Sequence, residues 1–120
     1  MEPPPDCCAS IIATLHVLSS PEQQLAYENR VPHVRVPNEL VSMWFDDTYL
    51  PESPAFAECF SLSELDAMRE FNEFFDQRSG LLPSEDNGVA GWLRDENWKE
   101  IVLRAGVLLN DLRSTESART

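Results

Sequence analysis

Carboxylates and aromatic rings occur together in one short stretch of the sequence. Two adjacent carboxylates, Asp46 and Asp47, are followed by a third at Glu52. Two aromatic residues, Trp44 and Tyr49, lie among them. Trp and Tyr are common anchors of protein interfaces, and carboxylates attract and pair with basic groups. The stretch therefore predicts a surface that binds a basic protein partner.

Further carboxylates follow at helical spacing. They are Asp66, Glu70, Glu73 and Asp76. The segment from Glu39 to Asp76 holds ten acids and a single base, Arg69, so it carries −9 of the net charge of −12. Phosphate contacts need Lys and Arg, so we expect no nucleic acid and no membrane surface as partner. The alternative is that these acids only keep the protein soluble.

Residues that could catalyse a reaction or bind a metal are few. The four glycines match no phosphate-binding loop. His16 and His33 have no second His or Cys at ligand spacing. The carboxylates lack the alternating pattern of a calcium loop and the ExxH pattern of di-iron bundles. We therefore predict no enzyme activity, no catalytic residues, no metal site and no cofactor.

The three cysteines, Cys7, Cys8 and Cys59, show no regular spacing. An odd number without a framework favours a reducing compartment. The longest apolar run, from Ile11 to Leu18, is too short to span a bilayer and no basic region precedes it. These features predict a cytoplasmic protein.

The carboxylates from Asp66 to Asp76 belong to an amphipathic helix predicted over Ser61 to Arg78. Its apolar stripe consists of Leu65, Met68, Phe71, Phe74 and Phe75. Ser61 and Glu64 form a capping-box pattern at its start. We expect the stripe to enter a Phe-rich core and the carboxylates to gather on one side of the molecule.

Three other helices are predicted. One begins at Ser20 with Pro21 in its first turn, and one begins at Pro37. The apolar face of the second includes Trp44, so a core position for Trp44 is favoured over an interface position. The last helix covers residues 95–112, where Leu103 and Val107 widen the apolar stripe and predict deep packing.

A glycine, Gly106, lies in the middle of this last helix. Glycine destabilises a helix interior by about 1 kcal/mol relative to alanine. We therefore expect another helix to cross closely at this position.

These elements predict one all-α domain over residues 1–120, an irregular bundle of about four to five helices with flexible tails at 1–6 and 114–120. The alternative is an α+β fold in which residues 11–18 and 31–36 pair as a small sheet. Strand and buried helix cannot be separated by apolar content alone in the first of these segments.

In size, charge and helicity the chain is similar to small acidic inhibitor proteins, such as the bacterial immunity proteins that neutralise basic toxins. This resemblance involves no motif and therefore assigns no residues. It implies a binding protein that occludes a basic protein surface. The alternative hypothesis is a helical homo-oligomer or adaptor domain in which the acids serve solubility alone.

Overall fold

All regular secondary structure is helical in the computed structural model, which describes residues 7–31, 35–84 and 88–119. Its helices are α1 (Cys7–Leu18), α2 (Pro21–Arg30), α3 (Val36–Ser42), α4 (Pro54–Glu58), α5 (Leu62–Ser79), α6 (Gly88–Leu93) and α7 (Glu96–Arg119). A π-helical segment, Met43–Thr48, continues α3 directly. The predicted all-α fold is confirmed. The described residues form seven α-helices where four to five were expected, and the additional ones, such as α4 and α6, are short.

The alternative with a small sheet is wrong. Residues 11–18 lie within α1, and no strand occurs in the described parts of the chain. Of the second predicted strand, residues 32–34 lie outside the described residues. Residues 1–6 and 120 of the predicted tails also lie outside them. The backbone of 114–119 continues α7, and the flexibility of that tail stays a prediction.

The centre of the molecule is formed by α7, with α5 and α1 packed against it. Phe71 and Phe75 of α5 are buried, as the stripe predicted. Ring contacts continue from Phe75 to Trp98 of α7 and then to Trp92 of α6. The Phe-rich interior is therefore present, and it extends through three helices.

Side-chain caps mark the starts of several helices, among them α5, α2 and α7. At α5 the Glu64 amide donates to the Ser61 hydroxyl at 3.1 Å, and the Ser61 amide donates to the Glu64 carboxylate at 2.7 Å. This is the predicted capping box. At α2 the Gln23 amide donates to the Ser20 hydroxyl at 3.2 Å. At α7 the Asp95 carboxylate accepts from two backbone amides.

A fully buried glutamine, Gln24, joins α1, α2 and α7. Its side-chain amide donates to the carbonyls of Val17 and Leu18 at the end of α1, each at 3.0 Å. Its side-chain oxygen accepts from the indole N–H of Trp98 at 3.1 Å. The last carbonyls of a helix lack partners within the helix. Gln24 therefore caps α1 and fixes α7 beside it.

The last helix is deeply packed, as predicted, but the expected extension of its buried stripe to Leu103 and Val107 is wrong. These side chains are 70% and 59% exposed. The buried side of α7 is already filled by a stripe that includes Trp98 and Ile101, and the exposed pair lies on the opposite side of the helix. The close crossing expected at Gly106 is also not found. A Cβ built there lies 3.7 Å from the nearest side-chain atom, at Ser19, which is an ordinary contact.

Candidate functional site

At the predicted binding stretch, helix α3 continues as one π-helical turn, which is wider than an α-helical turn. Such turns are rare and occur often at functional sites. The Thr48 hydroxyl donates to the carbonyl of Met43, and it lies 2.9 Å from the Thr14 hydroxyl of α1. The Tyr49 amide then donates to the Trp44 carbonyl at 2.9 Å and ends the segment. The turn is thus fixed at both ends.

Trp44 attaches the turn to α5. Its indole N–H donates to the Asn72 side-chain oxygen at 3.1 Å, and its ring meets Phe71 edge-on at a centroid distance of 4.9 Å. Trp44 is fully buried, which confirms the core interpretation. A side chain without exposed surface cannot touch a partner, so the prediction of Trp44 as a contact residue is corrected: it positions the turn.

Tyr49 packs the end of the turn against Trp44 and Phe56. Its ring stacks on Trp44 at 4.8 Å, and 8% of the residue is exposed. Burial raises the pKa of Tyr49 above its ordinary value of 10.0; the positive charge of Arg69 opposes this, and the negative charge of Glu73 adds to it. The phenol therefore lies within electrostatic reach of charged side chains on α5.

A surface groove of about 380 Å³ opens beside Tyr49. It is lined by Phe45, Tyr49, Leu50, Pro51, Glu52 and Ser53. Phe45 packs on Phe75 of the core with a centroid distance of 4.9 Å, whereas Leu50 is 45% exposed. The groove thus combines an apolar floor, supported from below by the core, with a carboxylate at Glu52.

The carboxylates near this groove point into solvent. Asp46, Asp47 and Glu52 are exposed, and none of them forms an ion pair within the described parts of the chain. Because no basic side chain of the described residues pairs with them, they are available to a basic group from outside. An apolar floor with such neighbours suits a segment that carries both basic and apolar side chains.

The predicted carboxylates of α5 are exposed as well, but the structure divides them. Asp66 pairs with Arg69 at 3.2 Å, and this pair is well exposed. In addition to burial, the negative charge of Glu73 contributes to the raised pKa of Tyr49. Glu70 and Asp76 are exposed and do not line the groove. None of the four α5 carboxylates lines the groove, and only Glu73 acts on one of its residues, through the pKa of Tyr49.

Sequence reasoning missed four residues of the groove lining, namely Phe45, Leu50, Pro51 and Ser53. A signal for two of them was present, because an apolar pair, Leu50 and Pro51, lies between Tyr49 and Glu52 of the predicted binding stretch. Exposed apolar residues within a loop are a common feature of binding surfaces.

Within the described residues, no three His, Cys, Asp or Glu side chains are grouped so that they could hold a metal ion. The same residues contain no helix whose length and apolar character would let it cross a membrane. Comparison of the chain with models of protein families, with curated proteins and with solved structures found no match. What the groove can bind follows from its own residues.

Proposed function

We propose that the protein binds a basic segment of a partner protein in the groove between Phe45 and Ser53. The observation that carries this proposal is the combination of an apolar floor with exposed, unpaired carboxylates at Asp46, Asp47 and Glu52. The −9 charge of the surrounding segment would steer a basic partner toward the site.

Charge alone gives such a site little affinity. Exposed ion pairs contribute about 0–1 kcal/mol each, because both partners stay hydrated. The apolar floor adds burial at about 25 cal/mol per Å², and a cation over an aromatic ring adds about 0.5–2 kcal/mol. The occupant that gains from all three is an Arg or Lys next to an apolar side chain.

Binding of this kind would mask the basic segment. If the segment belongs to the active site of a basic toxin, occupation of the groove excludes its substrate by steric and electrostatic means, as in an immunity-type inhibitor. The support for this role is the surface charge and the groove geometry. The partner is defined by its chemistry as a basic protein.

The test uses fluorescence anisotropy with two labelled peptides of equal length, one alternating Arg and Leu and one with every Arg replaced by Gln. We expect the Arg peptide to bind, and its affinity to fall as salt rises. Asp47→Asn with Glu52→Gln should weaken binding by about two- to thirtyfold, the loss of two exposed ion pairs at about 0.2–1 kcal/mol each.

The matched control is Glu22→Gln with Glu96→Gln, which removes the same number of charges at exposed sites on α2 and α7. Its affinity should stay close to that of the unchanged protein. Equal weakening by both double variants would show that only net charge matters. Equal binding of the Gln peptide would show that no basic group is needed, and either result would refute the proposal.

A further inference from the structure

The exposed side of α7 carries a second surface with unpartnered apolar groups. Leu103 and Val107 lie one turn apart, 70% and 59% exposed. Two grooves run along the two sides of Leu103. The first, of about 470 Å³, is lined by Pro21, Leu93, Lys99, Val102 and Leu103. The second, of about 370 Å³, is lined by Glu100, Leu103, Arg104 and Val107. Leu103 is thus an apolar ridge between two grooves.

This surface differs in charge from the rest of the protein. Residues 88–113 contain four acids and four bases, so they are neutral as a group, whereas residues 39–76 carry −9. A basic partner is therefore not attracted to this side of the molecule. Two copies of this acidic chain, in contrast, meet the least mutual repulsion if they approach each other here.

Two neighbouring residues of opposite charge lie on the two sides of Leu103, and the second groove also holds Arg104, whose guanidinium lies over the Phe74 ring. Lys99 lines the first groove and Glu100 lines the second. We propose that a second copy of this chain covers this face, with the two α7 helices parallel about a two-fold axis. When the two-fold axis runs parallel to the two helices, the first groove of each copy faces the second groove of the other. Lys99 of each copy then faces Glu100 of the other, and the Leu103 ridges pack together.

The ion pairs that these residues already make do not prevent this arrangement. Lys99 lies 3.5 Å from Glu96, and Glu100 lies 2.9 Å from Arg78. The Lys99–Glu96 pair is solvent-exposed and the Glu100 side chain is 48% exposed, so sharing these charges with a second copy costs little. The groove between Phe45 and Ser53 involves none of these residues. The dimer therefore presents two copies of that groove, and its formation does not depend on what the groove binds.

The first experiment is sedimentation equilibrium of the full chain from about 10 μM to about 1 mM, the range of weak protein association. We expect the mass to rise from 13.6 kDa toward twice that value. Leu103→Gln with Val107→Gln should weaken association by about tenfold or more. Gln leaves the charge unchanged, matches Leu in helix propensity and exceeds Val, so neither change weakens the helix itself. The matched control is Leu62→Gln, at a residue 82% exposed on α5, and it should leave association unaltered.

The second experiment separates a parallel pair from other contacts. Lys99→Glu and Glu100→Lys should each weaken association, because like charges then face each other across the two-fold axis. The two changes together restore opposite charges, and association should return. A mass that stays at 13.6 kDa at the highest concentration would overturn the proposal and leave the face to a different partner. Equal weakening by Leu62→Gln, or no recovery in the double charge variant, would overturn it as well.

Discussion

Gln24→Met tests the hydrogen-bond network that fixes α1, α2 and α7 together. Methionine has similar length and fills the same space without polar atoms. The change deprives the Leu18 carbonyl and the Trp98 indole N–H of the partner that the structure gives them. The Val17 carbonyl keeps a second donor, the Ser20 amide at 3.1 Å.

The expected loss follows from these two groups. A buried polar group left without a partner costs about 1–3 kcal/mol, so the free energy of unfolding should fall by about 2–6 kcal/mol. Domains of this size are stable by about 5–15 kcal/mol in total. The variant should therefore be severely destabilised, whereas Gln23→Met, at the exposed neighbouring residue, should change the free energy by less than about 0.5 kcal/mol.

The assay is urea denaturation followed by circular dichroism. A double-mutant cycle with Trp98→Phe isolates the bond to the indole, because the phenyl ring has no N–H to leave unpaired. In that background Gln24→Met should be less costly by about 1–3 kcal/mol. A loss below about 1 kcal/mol for Gln24→Met alone, or the same loss in both backgrounds, would refute the network as described.

Three further predictions concern single positions. Gly106→Ala should stabilise the protein by up to about 1 kcal/mol in urea denaturation, because a Cβ fits there. Gly88→Ala should destabilise it by about 1–3 kcal/mol in the same assay: Gly88 has φ +62°, and a Cβ would lie 2.6 Å from the Glu28 carboxylate that caps α6. Tyr49 should ionise above its ordinary pKa of 10.0 in a spectroscopic titration; the folded state then holds its proton longer than the unfolded state, and stability falls as pH rises past 10.0.

Each of these has a clear contrary result. Destabilisation by Gly106→Ala would mean that the space beside Ser19, the residue after α1, does not hold a Cβ. A neutral Gly88→Ala would mean that the start of α6 tolerates a side chain. For the phenol, the difference titration against Tyr49→Phe isolates its signal from that of Tyr27. A midpoint at or below 10.0 would contradict the burial of Tyr49.

The parts of the fold that depend on neighbours in sequence were predictable. The capping box at Ser61 and the stripe on α5 are local patterns, and both are confirmed. The apolar run in α1 was ambiguous, because burial on one side of a helix and burial in a sheet use the same residues. Leu103 and Val107 were misread for a related reason: apolar type does not tell which residues a neighbouring helix covers.

The candidate site was predictable in composition but not in shape. The sequence indicated that acids and aromatic rings would meet near Asp46. The groove itself depends on the π-helical turn, and that turn is fixed by partners far along the chain. Thr48 contacts Thr14 across 34 positions, and Trp44 bonds to Asn72 across 28. No local pattern reports such contacts.

The ring contacts that begin at Tyr49 give the protein an internal optical probe. They pass from Tyr49 to Trp44, Phe71 and Phe75, and then to Trp98. With its ring centroid 4.8 Å from that of Trp44, Tyr49 is close enough to transfer its excitation to the indole. A molecule that enters the groove and shifts the phenol therefore alters tryptophan emission deep in the interior, so occupancy can be read without a chemical label.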